Sequence, residues 1–191
     1  MHDSCFSISV FRFVASYLLY GNHTHTQFIH FSLLDRNRAQ GLKSFQGKMW
    51  KAGYASGELV GHLYSDFAPM MKWCNDMNVK VCIYSSGSIA AQKLLFGHTS
   101  AGDMTSYISG YFDTTSGSKR EADSYANIAT ALGVATKDVI FVSDLEAEIR
   151  AANQAGMRSV VAARPGNAPL SLVTKETFPV VRSLLQLCGA D

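Results

Sequence analysis

The chain has 191 residues and a mass of 20.8 kDa, which suits one domain with at most a small attachment. Apolar residues make up 47% of the chain and charged residues 17%, which excludes a disordered or fibrous protein. Seventeen basic and fifteen acidic residues give a net charge of +2, and the basic residues form no cluster. Nothing in the charge pattern therefore favours nucleic acid as a partner.

The first thirty residues differ in character from the rest. Residues 5–20 are apolar but interrupted by Arg12, and the run is shorter than the roughly 20 residues that span a bilayer. No Lys or Arg precedes it, which argues against a secretory signal. Four cysteines lie far apart, which favours free thiols in a reducing compartment: Cys5, Cys74, Cys82 and Cys188. We expect a monomeric cytoplasmic protein, with nuclear presence left open, and no membrane partner.

Two helices are predicted in the middle of the chain. Apolar residues at helical spacing predict a helix over 36–50, followed by a glycine-containing loop. A second helix is predicted over 65–78, with Ser65 as its N-cap and Asn78 closing it in a left-handed conformation. The apolar face of this helix has four members: Phe67, Met70, Met71 and Cys74.

The second half alternates strands and helices. Residues 79–84, 138–143 and 158–163 are short, mostly apolar runs typical of buried parallel strands. Helical segments follow the first two runs, at 89–96 and 146–156. This alternation predicts an α/β fold with a doubly wound, Rossmann-like parallel sheet. Ligands of such sheets bind beyond the carboxyl ends of the strands, so the residues after each strand are the candidates for chemistry.

Ser85, Ser86 and Gly87 directly follow the first of these strands. Their hydroxyl groups, together with the free amides of a helix N-terminus, suit a phosphate group. A second interpretation explains the same residues equally well, since Ser86 or Ser88 can simply cap the next helix.

Two further positions carry chemistry-bearing side chains. Asp144 follows the strand at 138–143, and Glu148 lies one helical turn later, so the pair can hold Mg²⁺. The alternative is an acid favoured by the helix dipole, with Glu148 solvated. Lys119 lies in a Gly/Ser turn at a helix start, where the dipole opposes its charge and an anion would compensate it. A solvated surface lysine is the alternative there.

Several long segments together resemble one family, the enolase-phosphatases of methionine salvage (acireductone synthases), a branch of the haloacid-dehalogenase-like phosphatases. The segments are FQGKMWKAGYASGEL (45–59), VKVCIYSSGSIAAQKLLFGHTSAGDM (79–104), YFDTTSGSKREADSY (111–125), VIFVSDLEAEIRAANQAGM (139–157) and ARPGNAPL (163–170). The resemblance runs from Asp35 to about Leu187. It implies an α/β core with an inserted helical cap and Mg²⁺-dependent hydrolysis of a phosphate ester.

The resemblance also implies roles for the candidate residues. Ser85, Ser86 and Gly87 would contact the substrate and its phosphate, and Lys119 would neutralise that phosphate and steady the attacking carboxylate. Asp144 would hold Mg²⁺, and Glu148 would support the metal or Lys119. Three domain segments follow by the same comparison: an unmatched segment at 1–34, the end of the helical cap at 35–64, and the phosphatase core at 65–191.

The chain departs from the family at its nucleophile. Family members begin with a strand that ends in D-I-E-G-T, whose first Asp attacks phosphorus, and no such motif occurs here. The first core strand is therefore expected to be missing, with residues 9–20 as a substitute that brings no carboxylate. A misread exon, a translated intron or a splice variant would each give such an N-terminal segment. We expect an enolase-phosphatase acting on 5-methylthio-2,3-dioxopentyl phosphate with little or no turnover; the alternative is a non-catalytic remnant that binds a phosphate ligand or a protein.

Overall fold

A computed structural model describes residues 5–8 and 47–189 of the chain. Within these residues, six parallel strands form one sheet in the order β3-β2-β1-β4-β5-β6. The strands are β1 Cys5–Ile8, β2 Lys80–Tyr84, β3 Gly110–Phe112, β4 Val139–Ser143, β5 Arg158–Ala162 and β6 Val180–Val181. The predicted α/β fold with a parallel sheet is confirmed.

Helices cover both faces of the sheet. They are α1 at 47–56, α2 Phe67–Asp76, α3 Ile89–Gly97, α4 Ala122–Leu132, α5 Glu146–Gln154 and α6 Leu172–Thr177. Two apolar clusters result, because successive strand side chains point to opposite faces. Val81 and Ile83 of β2 pack in the cluster that contains α2 and α3, whereas Cys82 and Tyr84 pack in the cluster that contains α4 and α5. The sheet is therefore doubly wound.

Helix α2 forms where the sequence predicts it, but its first turn differs. The four residues of its predicted apolar face are all buried, and Asn78 has a φ of 55°, the expected left-handed conformation. The position before the helix is Asp66 rather than Ser65, and Asp66 makes no side-chain cap. The Asp66 carboxylate instead accepts a hydrogen bond from the Leu184 amide at 2.7 Å. The predicted Ser65 cap is therefore wrong, because a long-range contact takes the place of a local one.

Helix α1 continues to residue 56, beyond its predicted end near residue 50. Gly53 lies inside it, and a Cβ there would come within 2.7 Å of the Leu59 side chain, so the glycine permits close packing rather than a loop. The helix ends where Gly57 adopts a φ of 76°. Its predicted beginning, over 36–46, lies outside the described residues.

A strand does occupy the first core position, contrary to the prediction that it is missing. β1 lies between β2 and β4, with Ile8 level with Ile83 on one side and Val142 on the other. It comes from residues 5–8, and the suggested substitute at 9–20 lies outside the described residues. β1 therefore belongs to the core sheet although it comes from the segment at 1–34. Two short strands, β3 and β6, were not predicted.

Candidate active site

Two of the predicted site residues follow strands that end at one edge of the sheet. β2 and β4 flank β1 and run parallel to it, so their carboxyl ends lie on the same edge. Ser85 follows β2 and Asp144 follows β4. This edge is where open parallel sheets bind their ligands.

A buried ion pair links Lys119 to the helix that follows β4. The Lys119 Nζ lies 2.7 Å from Glu148 Oε2, and the two side chains are 14% and 8% exposed. The same Glu148 oxygen accepts a hydrogen bond of 2.9 Å from the Ser143 hydroxyl, at the last residue of β4. Both solvated alternatives are thereby excluded, and the anion opposite Lys119 is Glu148.

Aromatic side chains complete the surroundings of Lys119. Its Nζ lies 5.4 Å from the ring centroid of Tyr84, the last residue of β2. The Tyr125 hydroxyl donates a 2.7 Å hydrogen bond to the Lys119 carbonyl oxygen. Burial raises the pKa of Tyr84, and the nearby Glu148 charge adds to that effect. The Lys119 ammonium therefore lies between the end of β2 and α5, in partial contact with an apolar surface.

The turn that carries Lys119 depends on a glycine. Gly117 has a φ of 124°, and a Cβ at that position would collide with the Ser124 side chain. Ser124 is buried and donates a 2.7 Å hydrogen bond to the Ser118 carbonyl oxygen. The Gly/Ser sequence before Lys119 thus allows the chain to pass close to α4 and to direct the lysine toward Glu148.

The sequence left open whether the serines after β2 contact phosphate or cap the next helix, and the structure shows which serine is the cap. The Ser88 hydroxyl accepts a 3.3 Å hydrogen bond from the Ala91 amide and caps α3. Ser85 is buried, and its hydroxyl oxygen accepts a 3.1 Å hydrogen bond from the Gly87 amide. Ser86 is exposed on the turn. The capping role therefore belongs to Ser88 and leaves Ser85 and Ser86 at the edge of the sheet.

Asp113 is a residue of this edge that sequence reasoning missed. It follows β3, and its carboxylate accepts a 3.3 Å hydrogen bond from the Ile89 amide at the start of α3. The Thr115 hydroxyl and amide hold the pKa of Asp113 below its usual value. The first amide of α3 is therefore already bound by the Asp113 carboxylate. The sequence signal was an acid after a strand, but β3 itself is too short to recognise.

Asp144 is half-buried and bound by a residue to which the sequence analysis gave no role. Its Oδ2 accepts a 2.8 Å hydrogen bond from the Asn167 side-chain amide. Asn167 lies in the ARPGNAPL segment, in the loop between β5 and α6. Asp144 is not the residue before α5, since Leu145 stands there, so it is not a helix cap.

The metal-binding capacity of the edge is modest. Among the described residues, no group of three or more His, Cys, Asp or Glu side chains is arranged to hold a metal ion. Glu148 contacts Lys119 and Ser143, Asp113 accepts from Ile89 and Thr115, and Asp144 accepts from Asn167. This donor set fits Mg²⁺, which often binds through one or two carboxylates with water and substrate phosphate completing its shell.

Within the described part of the chain, no helix is long and apolar enough to cross a membrane.

Comparison with known proteins gives a family match and close relatives. Residues 18–156 match the haloacid dehalogenase-like hydrolase family, so the match begins upstream of Asp35. The chain is 51% identical over 144 residues to the enolase-phosphatase E1 of Monosiga brevicollis, covering 75% of this chain and 48% of the relative. It is 47% identical over 146 residues to that of Marinobacter nauticus, covering 76% and 64%. The chain thus spans about half to two thirds of the length of these relatives.

Solved structures share the fold. The UTR4 protein of Saccharomyces cerevisiae superposes with a TM-score of 0.73 at 28% identity, covering 97% of this chain and 100% of that one. CbbY of Rhodobacter sphaeroides, in complex with phosphate, superposes with a TM-score of 0.70 at 13% identity, covering 97% and 96%. The second likeness concerns the fold alone.

Proposed function

The chain belongs to the haloacid dehalogenase-like hydrolase family, and we propose that its site is that of an enolase-phosphatase in methionine salvage and methionine biosynthesis. The substrate would be 5-methylthio-2,3-dioxopentyl phosphate, and the products acireductone and phosphate. The observation that carries this proposal is the buried Lys119–Glu148 pair, whose ammonium group lies 5.4 Å from the ring centroid of Tyr84 at the end of β2. The enolase-phosphatase relatives, at 47–51% identity, supply the substrate class.

The residues at this edge suit phosphoryl transfer, which depends mainly on placement and neutralisation of charge. Lys119 would neutralise the phosphate, with Glu148 and the Tyr84 ring holding its ammonium group in place. Ser85 and Ser86 would donate hydroxyl hydrogen bonds to the phosphate, and the Gly87 turn lets the backbone approach it. Ser85 is fixed for this role, since its oxygen already accepts from the Gly87 amide.

Asp144 would hold the cofactor, Mg²⁺. When bound, Mg²⁺ supplies positive charge that stabilises the negative charge of the reacting phosphate. The Asp144 carboxylate accepts a hydrogen bond of 2.8 Å from the Asn167 side chain. Glu148 takes the supporting role toward Lys119, and its weaker assignment as a metal ligand stays a prediction.

The attacking carboxylate is the part that the described site lacks. β1 is the strand whose end would carry it, and the sequence after Ile8 reads Ser9-Val10-Phe11, with no Asp or Glu between Asp3 and Asp35. We therefore propose weak or no turnover. This same observation favours a second candidate function, a non-catalytic protein that binds a phosphate ligand or a protein partner through the same edge.

A phosphate-release assay separates the two functions. The full chain would be incubated with 5-methylthio-2,3-dioxopentyl phosphate and Mg²⁺ beside its Lys119→Ala variant, while calorimetry with inorganic phosphate follows binding. Release above the Lys119→Ala background supports the enzyme. Phosphate binding without release above that background supports the binding protein, and the absence of both contradicts the enzyme and the phosphate-binding protein.

The wider setting follows from the same proposal. The protein would act as a monomer in the cytoplasm, with nuclear presence open, on a small phosphate ester and with neither nucleic acid nor membrane as partner. Residues 35–64 would be the end of a helical cap returning to a core at 65–191. α1 lies in that stretch, and the segment after it contacts the residue that ends α3, since the Gly61 amide donates a 2.7 Å hydrogen bond to the His98 carbonyl oxygen.

A further inference from the structure

The loop between β5 and α6 begins with a tight turn over Arg164, Pro165, Gly166 and Asn167. The Asn167 amide donates a 3.1 Å hydrogen bond to the Arg164 carbonyl oxygen, and Gly166 has a φ of 87°. Proline at the second position and a left-handed glycine at the third are the sequence requirements of a type II turn. The sequence R-P-G-N therefore sets the backbone position of Asn167.

The side chain of Asn167 is fixed as firmly as its backbone. The Arg164 amide donates to Asn167 Oδ1 at 2.5 Å. Because the amide oxygen faces this donor, the Asn167 Nδ2 is the atom that faces Asp144, and it donates to Asp144 Oδ2 at 2.8 Å. The local backbone thus determines which end of the Asn167 amide meets the carboxylate.

The turn is also anchored to the core through Arg164. The guanidinium group lies 2.7 Å from Asp66 Oδ2, and the two side chains are 8% and 9% exposed. It donates a 2.8 Å hydrogen bond to the Arg182 carbonyl oxygen and lies 4.6 Å from the ring centroid of Tyr64. The turn is therefore held by buried contacts with the start of α2 and with the C-terminal part of the chain.

We propose that Asn167 is the positioning residue that orients the Asp144 carboxylate for Mg²⁺, with Arg164 and Asp66 as its anchor. The inference rests on the proposed role of Asp144 as the metal ligand. A carboxylate held by a second contact loses less side-chain freedom when it binds a cation. Loss of such an outer partner typically costs 10- to 100-fold in metal affinity.

Calorimetric titration of the full chain with Mg²⁺ alone tests the proposal. Asn167→Ala should bind Mg²⁺ about 10- to 100-fold more weakly than the wild type. The matched control is Asn127→Ala, which removes an exposed asparagine of α4 and should bind as the wild type does. Asp144→Asn should bind no Mg²⁺ and should melt at nearly the wild-type temperature in the absence of metal.

The outcomes separate the inference from the proposed function. Wild-type affinity in Asn167→Ala, with binding lost in Asp144→Asn, overturns the role of Asn167 and leaves that of Asp144 intact. Unchanged affinity in Asp144→Asn, or no binding by the wild type, overturns the metal role of Asp144 and with it the inference. A merely structural Asn167 would lower the melting temperature of its variant without changing the Mg²⁺ affinity.

Asn167→Asp changes the charge at nearly constant shape. The introduced carboxylate can still accept a hydrogen bond from the Arg164 amide. It also replaces the hydrogen bond to Asp144 with repulsion between two carboxylates. We expect a lower melting temperature without metal and a larger rise on adding Mg²⁺ than in the wild type. Wild-type behaviour in both measurements would contradict the contact on which the inference depends.

Discussion

β1 and β4 lie side by side in the middle of the sheet and end at the same edge, but only β4 leads into acidic residues. β4 ends in Ser143, and Asp144 and Glu148 follow it, each bound by a partner from another part of the chain. β1 keeps the register of a core strand, and its sequence continues without a carboxylate. The fold thus accommodates at its centre a strand whose sequence continues without an acid, whereas the proposed chemistry needs a particular residue at the strand's end.

The largest expected effect concerns turnover. The proposed lack of a nucleophile at β1 should lower the rate of phosphate release by a factor on the order of 10⁶ relative to a protein that has it, judging from protease nucleophiles. The enolase-phosphatase E1 of Marinobacter nauticus, assayed beside this chain on the same ester, provides the reference. The family resemblance gives the reference protein a nucleophilic Asp in a D-I-E-G-T motif, and changing that Asp to Asn should lower its rate of phosphate release to that of this chain. A rate within about 100-fold of the unmodified reference would mean that another residue replaces the missing carboxylate.

The next largest expected effect concerns the contribution of the Lys119–Glu148 ion pair to stability. Glu148→Ala leaves the Lys119 ammonium buried without its anion, and we expect a loss of about 3–5 kcal/mol in the free energy of unfolding. Urea denaturation followed by circular dichroism measures it. The exposed pair of Lys72 and Asp76, 2.6 Å apart and with side chains 69% and 53% exposed, gives the control. Asp76→Ala should cost less than about 1 kcal/mol. Equal losses in the two variants would contradict the buried character of the Lys119–Glu148 pair.

The smallest expected effect concerns Glu146, an acidic residue after β4 whose hydrogen bonds link α5 to α6. The Ser171 amide, the Thr174 hydroxyl and the Ser171 hydroxyl donate hydrogen bonds to it and lower its pKa from 4.5 to about 2. Because the folded-state pKa is lowered, the stabilisation is complete above pH 4.5 and is lost as the pH falls toward 2.

Glu146→Gln should therefore have a lower melting temperature than the wild type at neutral pH. The difference between the two melting temperatures should decrease as the pH falls from 4.5 toward 2. Thermal melts across this range measure it. Glu176→Gln, an exposed substitution on α6, serves as the control and should show no such trend. A gap for Glu146→Gln that stays constant through the acid range would contradict the link between α5 and α6.

Local patterns in the sequence predicted the elements whose signal is long enough. β2, β4 and β5 are apolar runs of ordinary length, and these strands and the helices after β2 and β4 form close to the predicted bounds. β3 and β6 have three and two residues, too few for any periodicity to show. The identity of β1 depends on which of several apolar stretches pairs best with β2 and β4, and only the three-dimensional pairing decides that.

The site residues show the same difference between local and long-range information. Ser85, Lys119 and Asp144 were predicted because each follows a strand or precedes a helix in a recognisable segment. Asp113 and Asn167 were missed because their roles consist of hydrogen bonds to residues 24 and 23 positions away in the chain. The partner of Lys119 lies 29 positions away, so its burial could not be inferred from spacing.

The central claim is that the edge formed by the ends of β2 and β4 binds a phosphate group together with Mg²⁺. A crystal structure of the full chain grown with Mg²⁺ and inorganic phosphate tests it most directly. We predict a phosphate within hydrogen-bonding distance of the Ser85 hydroxyl and the Lys119 ammonium, with Mg²⁺ on Asp144. An empty edge, or both ions bound elsewhere on the protein, would contradict the claim.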